Sequence, residues 1–269
     1  ASEHWLIQGG AMYEDTQLTG NSLTPRIAVN YLINPRHGLR AVYSEAIRSP
    51  DMFENNVNWS YRVTGLSTPV YGQNSAQYFV KTRGPGNLDQ EHMRSRELGY
   101  NGYFVDQALN LDIKLFYDEI TGMISEPLRN NQYIASNSNA SRFAGTESQL
   151  DWQLSRADRL RLTYAYVHAQ ASNRLDQRLT ASNSGSAGWL RNWGQGWSSA
   201  LFYYGDSALN GYRFERVDTR IAKRLALGSK TSLELAGTLQ QRLDHQPTTF
   251  ADNLYDSRHV VYFSAELEF

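Results

Sequence analysis

Apolar and polar residues alternate along much of this chain, and a period of two leaves few folds open to it. Over 261–269 one set reads Val261, Phe263, Ala265, Leu267 and Phe269, while the set between them reads Tyr262, Ser264, Glu266 and Glu268. Successive side chains of an extended strand point to opposite faces, so this pattern specifies a strand with one apolar and one wet face. Leu109, Leu111, Ile113, Leu115 and Tyr117 alternate in the same way with Asn110, Asp112, Lys114, Phe116 and Asp118. Leu160, Leu162, Tyr164 and Tyr166 alternate with Arg159, Arg161, Thr163 and Ala165, and the pattern returns over 150–155 and 233–243. Helical spacing fits none of these segments as well. The chain reads as all-β.

About twelve strands are expected, near 3–14, 24–34, 39–48, 92–104, 108–124, 141–155, 158–172, 184–192, 197–205, 212–226, 230–244 and 256–269. Most exceed ten residues, whereas strands of soluble proteins run to about 5–6 and a tilted membrane strand needs about 9–11. The links between them alternate in length. Short ones fall near 35–38, 105–107, 156–157, 193–196 and 227–229; long ones fall near 15–23, 49–91, 125–140, 173–183, 206–211 and 245–255. Short periplasmic turns and longer external loops are the habit of outer-membrane barrels. No second domain is expected, so 1–269 reads as one antiparallel transmembrane β-barrel region.

Composition agrees once the alternation is known. The 269 residues average to a mean hydropathy of −0.56, yet they include 17 Tyr, 6 Trp and 10 Phe. Only alternate residues of a barrel strand meet lipid, so a polar average is compatible with spanning. No apolar run is long enough for a transmembrane helix, which needs about 20 residues. With 26 Lys+Arg against 27 Asp+Glu the net charge is −1, which removes the electrostatic case for a nucleic-acid partner. The absence of cysteine removes disulfides and thiolate metal sites. The first residues, Ala1-Ser2-Glu3-His4, have neither an initiator Met nor a signal peptide, as in a processed or excised chain.

Several segments resemble the barrels of TonB-dependent outer-membrane receptors of the siderophore-receptor type. They are Leu23-Thr24-Pro25-Arg26, Leu39-Arg40-Ala41-Val42-Tyr43-Ser44, Arg48-Ser49-Pro50-Asp51-Met52-Phe53-Glu54 and Glu97-Leu98-Gly99-Tyr100-Asn101-Gly102, with Leu115-Phe116-Tyr117 in the strand that follows. Tyr212-Arg213-Phe214, the run from Val217 to Arg224 and the terminal strand from Tyr262 to Phe269 resemble that family's last hairpins. The resemblance implies a 22-stranded barrel filled by a plug that contacts the TonB complex. About twelve strands without a plug correspond to the C-terminal part of such a barrel. Two arrangements stay open: an open half-sheet belonging to a receptor for a ferric siderophore or similar scarce-metal chelate, or a smaller self-closed barrel acting as a passive pore. A soluble β-protein is the third reading.

The residues with most chemistry lie in the long segment 49–91. Trp59, Tyr61, Arg62, Tyr71, Gln73, Tyr78, Lys81 and Arg83 combine aromatic faces with cations. Anionic metal chelates can be stacked upon and paired with by such groups, so Trp59, Tyr61, Arg62, Tyr71, Tyr78, Lys81 and Arg83 are the candidate ligand-binding residues. The same loop can also touch lipopolysaccharide. Tyr262, Phe263, Leu267 and the terminal Phe269 resemble the signal read by the barrel-assembly machinery. Trp5, Tyr13, Tyr31, Tyr43, Tyr103, Phe104, Trp152, Tyr203 and Tyr204 suit aromatic girdles at the membrane interfaces. Trp189, Arg191 and Trp193 are expected to anchor rather than bind, and Arg48 and Glu54 to pair near the lumen wall with neighbouring strands or with plug residues.

Catalysis finds little to work with. The six histidines (His4, His37, His92, His168, His245 and His259) are scattered, and no nucleophile elbow or nucleotide-binding loop is present. Asp244, His245, Asp252, Asp256 and His259 gather near the last loop, but acidic loops do so by composition, and no metal site or cofactor is expected.

Overall fold

Long strands with one apolar face must give every backbone N–H and C=O to a neighbouring strand, and the computed structural model shows how these do so. It describes residues 3–69, 72–125, 132–173, 176–178, 180–207, 213–244 and 257–269. In chain order the elements are β1 (Trp5–Thr16), β2 (Gly20–Asn34), β3 (His37–Arg48), α1 (Met52–Asn56), β4 (Asn58–Thr64), β5 (Ser75–Arg83), β6 (Glu91–Phe104), β7 (Leu109–Met123) and β8 (Gln132–Ile134). There follow β9 (Asn139–Gln153), β10 (Asp158–Ala171), β11 (Asn183–Gly194), β12 (Trp197–Asp206), β13 (Glu215–Ala226), β14 (Ser232–Arg242) and β15 (His259–Glu268). Twelve of them form one sheet in the order β1-β2-β3-β6-β7-β9-β10-β11-β12-β13-β14-β15, and β4, β5 and β8 form a second. The large sheet is antiparallel at each of its pairings and is not closed, since β1 and β15 end it.

The register carries the alternation from strand to strand. Ile7, Val29, Ala41, Leu98 and Leu115 stand opposite one another in turn across β1, β2, β3, β6 and β7. Leu160, Trp189, Leu201, Thr219, Leu239 and Val261 do the same across β10 to β15. These belong to one apolar face, on which Leu98 is 61% and Phe263 84% exposed. On β7 this face is apolar from Leu109 to Tyr117, roughly 27 Å along the strand at about 3.3 Å per residue, enough for a tilted hydrocarbon crossing. Beyond it the same face turns charged, with Arg96 paired to Glu119 at 3.3 Å and Arg142 to Glu119 at 3.2 Å. At the other end it is bounded by aromatic rings. Trp5 packs at a tilt against Tyr31 with 4.6 Å between centroids, and His37 Nδ1 lies 2.7 Å from the Tyr100 hydroxyl.

The opposite face is wet and its charges are paired across strands. Lys114 meets Glu147 directly opposite it at 2.8 Å, and Asp151 accepts from Arg159 at 2.5 Å and from Arg161 at 3.0 Å. Arg220 meets Glu234 at 2.5 Å and Arg40 meets Glu97 at 3.3 Å. Two glycines on this face make room for rings. A Cβ at Gly188 would fall 2.1 Å from the Phe202 ring opposite it. One at Gly145 would fall 2.8 Å from the Phe116 ring and 2.0 Å from the Tyr166 carbonyl oxygen.

Turns at one end of the sheet are short: 35–36, 105–108, 154–157, 195–196 and 227–231. The turn at 195–196 has Gly194, Gln195 and Gly196 all at positive φ, with Arg224 N donating to the Gly196 carbonyl at 2.8 Å. At the other end the segments 49–90, 124–138, 172–182, 207–214 and 243–258 are long. The link expected over 15–23 is different: only 17–19 separate β1 from β2. Gly20 at φ +75° and a Thr16–Thr19 hydroxyl contact of 2.7 Å close the turn. Glu14, Asp15, Asn21 and Ser22 remain in the ladder although they are polar, because past the apolar belt both faces of a strand are wet. The long segment 49–91 also differs from a plain loop, since it holds α1, β4 and β5.

Two outcomes test this account. Gly145→Val brings a side chain onto the backbone of β10 and is expected to cost about 1–3 kcal/mol or block assembly, read as lost heat-modifiable mobility on gels. Gly10→Val, where nothing lies within 4 Å of the added Cβ, is expected to assemble normally. The second concerns the long-loop end of β14. Burial would raise the Asp244 carboxyl, but the hydrogen bonds from Arg242 and from the Glu215 backbone N–H prevail and hold it below its usual range. A depressed carboxylate stabilises above its unfolded value, about pH 4, and that contribution fades as pH falls through the lower folded value. Protection of the Glu215 amide should fade over that window, and Asp244→Asn should remove the dependence.

Candidate functional site

The long-loop end is built from the strand ends upward. Arg48, the last residue of β3, donates from Nε and Nη2 to Glu91 of β6 at 2.7 and 2.8 Å, and from Nη1 to both Glu54 oxygens at 3.0 Å. A planar guanidinium serving two carboxylates fixes direction as well as distance. Glu54 in turn closes a capping box with Asp51 at the start of α1, which is how so short a helix begins where it does. Glu91 also accepts from the Ile124 backbone N–H at 2.6 Å, so one carboxylate ties β6 to the next long loop. Arg48 thus pairs with a neighbouring strand through Glu91, whereas the partner of Glu54 is Arg48 itself.

Other polar side chains extend this frame. Asn55, 3% exposed, accepts from Leu88 N at 2.9 Å. Asn137 accepts from Asp89 N at 2.7 Å and donates to the carbonyls of Asp89 and Gly122 at 2.9 and 2.8 Å. Ser125 donates to the buried Asp176 at 2.5 Å, which reaches the loop after β10. Gln90 donates to Thr19 at 2.9 Å and so reaches the first turn. Leu88, Ile124 and Ala135 form an apolar cluster buried among these loops. The main sheet is a single layer between two environments, so the packed apolar contact is found here, where the loops meet.

Upon this frame rests the small sheet. β4 pairs antiparallel with β5, and β5 pairs in parallel with β8 from the next long loop. Tyr61 stands opposite Tyr78, Arg62 opposite Gln77, Trp59 opposite Thr82 and Asn58 opposite Arg83, while Lys81 stands opposite Gln132. Trp59, Tyr61 and Arg62 therefore lie on β4, and Tyr78, Lys81 and Arg83 on β5. Six of the seven candidate ligand-binding residues are thus brought onto one pair of strands; Tyr71 lies outside the described residues. The third strand, with Gln132, Tyr133 and Ile134, was invisible to the period-two argument because three residues are too few to show a period.

The remaining sequence candidates fall elsewhere. Tyr262, Phe263 and Leu267 lie on β15 with Phe269 just beyond it, all exposed. Trp189, Arg191 and Trp193 are at the short-turn end of β11, opposite to the small sheet. Of the acidic and histidine residues near the last loop, His245, Asp252 and Asp256 lie outside the described residues, and Asp244 is engaged with Arg242. No group of three potential metal ligands occurs among the described residues.

Comparison with solved structures gives the same fold. The siderophore receptor PirA from Pseudomonas aeruginosa is similar with a TM-score of 0.67 and 15% identity, covering 99% of this chain and 46% of the receptor. PirA from Acinetobacter baumannii gives 0.68 and 12%, covering 100% and 44%. A variant of the ferric enterobactin receptor PfeA from Pseudomonas aeruginosa, in complex with enterobactin, gives 0.71 and 14%, covering 99% and 43%. This chain therefore spans less than half the length of the receptors it resembles. No curated protein matches it by sequence. The sequence profile described as TonB dependent receptor-like, beta-barrel matches residues 1–240, and that family is one of outer-membrane transport receptors. With that match over most of its length and a twelve-stranded antiparallel sheet of the same fold, the chain belongs to the TonB-dependent receptor β-barrel family.

Proposed function

We propose that this chain forms the barrel wall and outer loops of a receptor in the outer membrane of a Gram-negative bacterium, one that takes up a ferric siderophore or similar metal chelate. The observation that carries the proposal is the small sheet held on hydrogen-bonded loops at the long-loop end. It presents tyrosine, tryptophan, arginine and lysine positions at a single place in the fold. A preorganised loop loses less entropy when it takes a ligand, and cations beside aromatic groups suit an anionic chelate with flat groups. The similar solved proteins are named as siderophore or ferric enterobactin receptors, which supports this ligand class over others.

In this reading Trp59, Tyr61, Arg62, Tyr71, Tyr78, Lys81 and Arg83 contact the chelate. Energy coupling through the TonB complex needs a plug, and none lies among the described residues. Tyr262, Phe263, Leu267 and Phe269 serve recognition by the barrel-assembly machinery, and the charged end of the outer face, with Arg96, Glu119 and Arg142, meets lipopolysaccharide. The passive-pore alternative requires β1 and β15 to pair, which they do not do in this sheet.

The test is uptake of radio-iron, presented as catecholate and hydroxamate chelates, by cells making the full-length protein with and without residues 55–90. Uptake that requires 55–90 supports the proposal. Uptake unchanged by the deletion overturns the choice of loop, and failure of the intact protein with every chelate overturns the function. Glu91→Gln weakens the grip on Arg48 without touching the small sheet. It is expected to reduce chelate affinity by about tenfold, or about 1.4 kcal/mol, and to speed proteolysis within 49–90, measured by titration and by limited digestion.

A further inference from the structure

The apolar face carries two cations near its short-turn end, far from the chelate platform. Arg191 of β11 stands opposite Ser199 of β12, and Lys223 of β13 stands opposite Trp197 of β12. Both positions share the face of Trp189, Leu201, Ile221 and Phe263. The Arg191 guanidinium lies 4.4 Å from the Trp193 ring centroid and 6.0 Å from that of Trp189. Its Nη1 donates to Asp158 at 3.1 Å, a carboxylate that already accepts from Trp189 Nε1 at 3.0 Å and from Ser155 at 2.9 Å. Its Nε is without a hydrogen-bond partner among the described residues. The Lys223 ammonium lies 5.0 Å from the Trp197 ring centroid and donates to the Gln195 carbonyl at 2.6 Å; no carboxylate pairs with it among the described residues. Trp193 Nε1 donates to Ser199 at 2.9 Å, which fixes that ring beside Arg191. Two cations against one occupied carboxylate leave a net positive charge in a row of indoles.

Next to Lys223 a shallow apolar groove runs along the same face, lined by Trp197, Ile221, Leu235, Leu239, Val261 and Phe263. Its floor is Gly237, which stands opposite Ile221 on one side and Phe263 on the other. A glycine inside a strand weakens it and often marks close approach by another group. A Cβ there would come 3.3 Å from the Phe263 ring, so any larger residue narrows the groove.

A positively charged, tryptophan-rich rim that opens onto an apolar groove matches one kind of occupant. A free anion has no use for the groove, and a neutral lipid has no use for the unpaired charge. β11 and β13 flank β12, so Arg191 and Lys223 are about 12 Å apart at Cα, and two long side chains can meet one phosphate between them. We propose that this face holds an anionic phospholipid of the periplasmic leaflet, with its phosphate between Lys223 and Arg191 and one acyl chain along the groove over Gly237. The proposal rests on the membrane-embedded reading given above.

The experiment places the full-length protein in nanodiscs and quenches its tryptophans with brominated phosphatidylglycerol or brominated phosphatidylcholine. Half-maximal quenching is expected at a mole fraction of phosphatidylglycerol lower by about fivefold for each cation engaged. Lys223→Gln alone should lose about fivefold of that preference, and adding Arg191→Gln should bring the two curves together. Gly237→Leu should reduce the phosphatidylglycerol retained through detergent extraction, read by native mass spectrometry. Native curves that coincide, a preference unchanged in the double variant, or equal competition by inorganic phosphate would each overturn the proposal. Absence of quenching by either lipid would instead refute the membrane-embedded reading on which it depends.

Discussion

Everything in this molecule depends on the continuous backbone ladder. A backbone N–H or C=O left in hydrocarbon without a partner costs several kcal/mol, whereas an exposed leucine there costs nothing. The twelve-stranded sheet follows from that asymmetry. Within it each inner strand passes its donors and acceptors to both neighbours, and its two end strands, β1 and β15, keep an unpaired edge. Such edges are a liability that a complete barrel abolishes by closure. The same rule explains why the apolar face needs no packed core. Its partner is lipid, so Leu98 or Phe263 can be largely exposed in the protein and still be removed from water.

The wet face answers to a different constraint. Its charges stand in rows a few ångströms apart, and like charges on neighbouring strands would repel. The pairs Lys114–Glu147, Asp151 with Arg159 and Arg161, and Arg220–Glu234 distribute opposite signs across adjacent strands. Exposed pairs of this kind add little stability each. Their use is in fixing register, because a slip of one residue would move every charge to the lipid side. Register is therefore enforced from both faces at once.

The strands were legible in the sequence because only alternate residues meet lipid, and that leaves a period no helix reproduces. Legibility failed where the two environments become the same. Asp15, Asn21 and Ser22 lie beyond the apolar belt, carry no alternation and resemble a loop, yet they are paired in the ladder. β4, β5 and β8 sit above the belt for the same reason, and β8 is too short for any period. The candidate ligand residues were found by chemical type, whereas their assembly on β4 and β5 required a long-range partner, β8, more than 45 residues further along. A partner for Arg48 on a neighbouring strand could be expected, but its identity as Glu91 could not, since that residue lies 43 residues away. Contacts set by a sheet's order are distant in sequence by construction, and local pattern does not contain them.

The two ends of the apolar belt also differ for a physical reason. At the long-loop end the outward face becomes charged, with Arg96, Glu119 and Arg142 linked in a chain of pairs. At the short-turn end it becomes aromatic, with Trp5, Tyr31, Tyr100, Trp152, Trp189, Trp193 and Trp197. Indole and phenol rings have an apolar body and a polar handle, so they rest where hydrocarbon gives way to phosphodiester headgroups. A lattice of paired charges suits a thicker, more ionic boundary. Arg191 and Lys223 are the cations in the aromatic band, with Asp158 the carboxylate beside Arg191. A cation on a lipid-facing strand is tolerated near an interface at little cost, and stacking on an indole lowers that cost further. Alternation alone would have placed apolar residues at both positions. Their place on strands flanking the same tryptophan-bearing strand, beside the glycine-floored groove, ties them to the lipid boundary and not to the transport path.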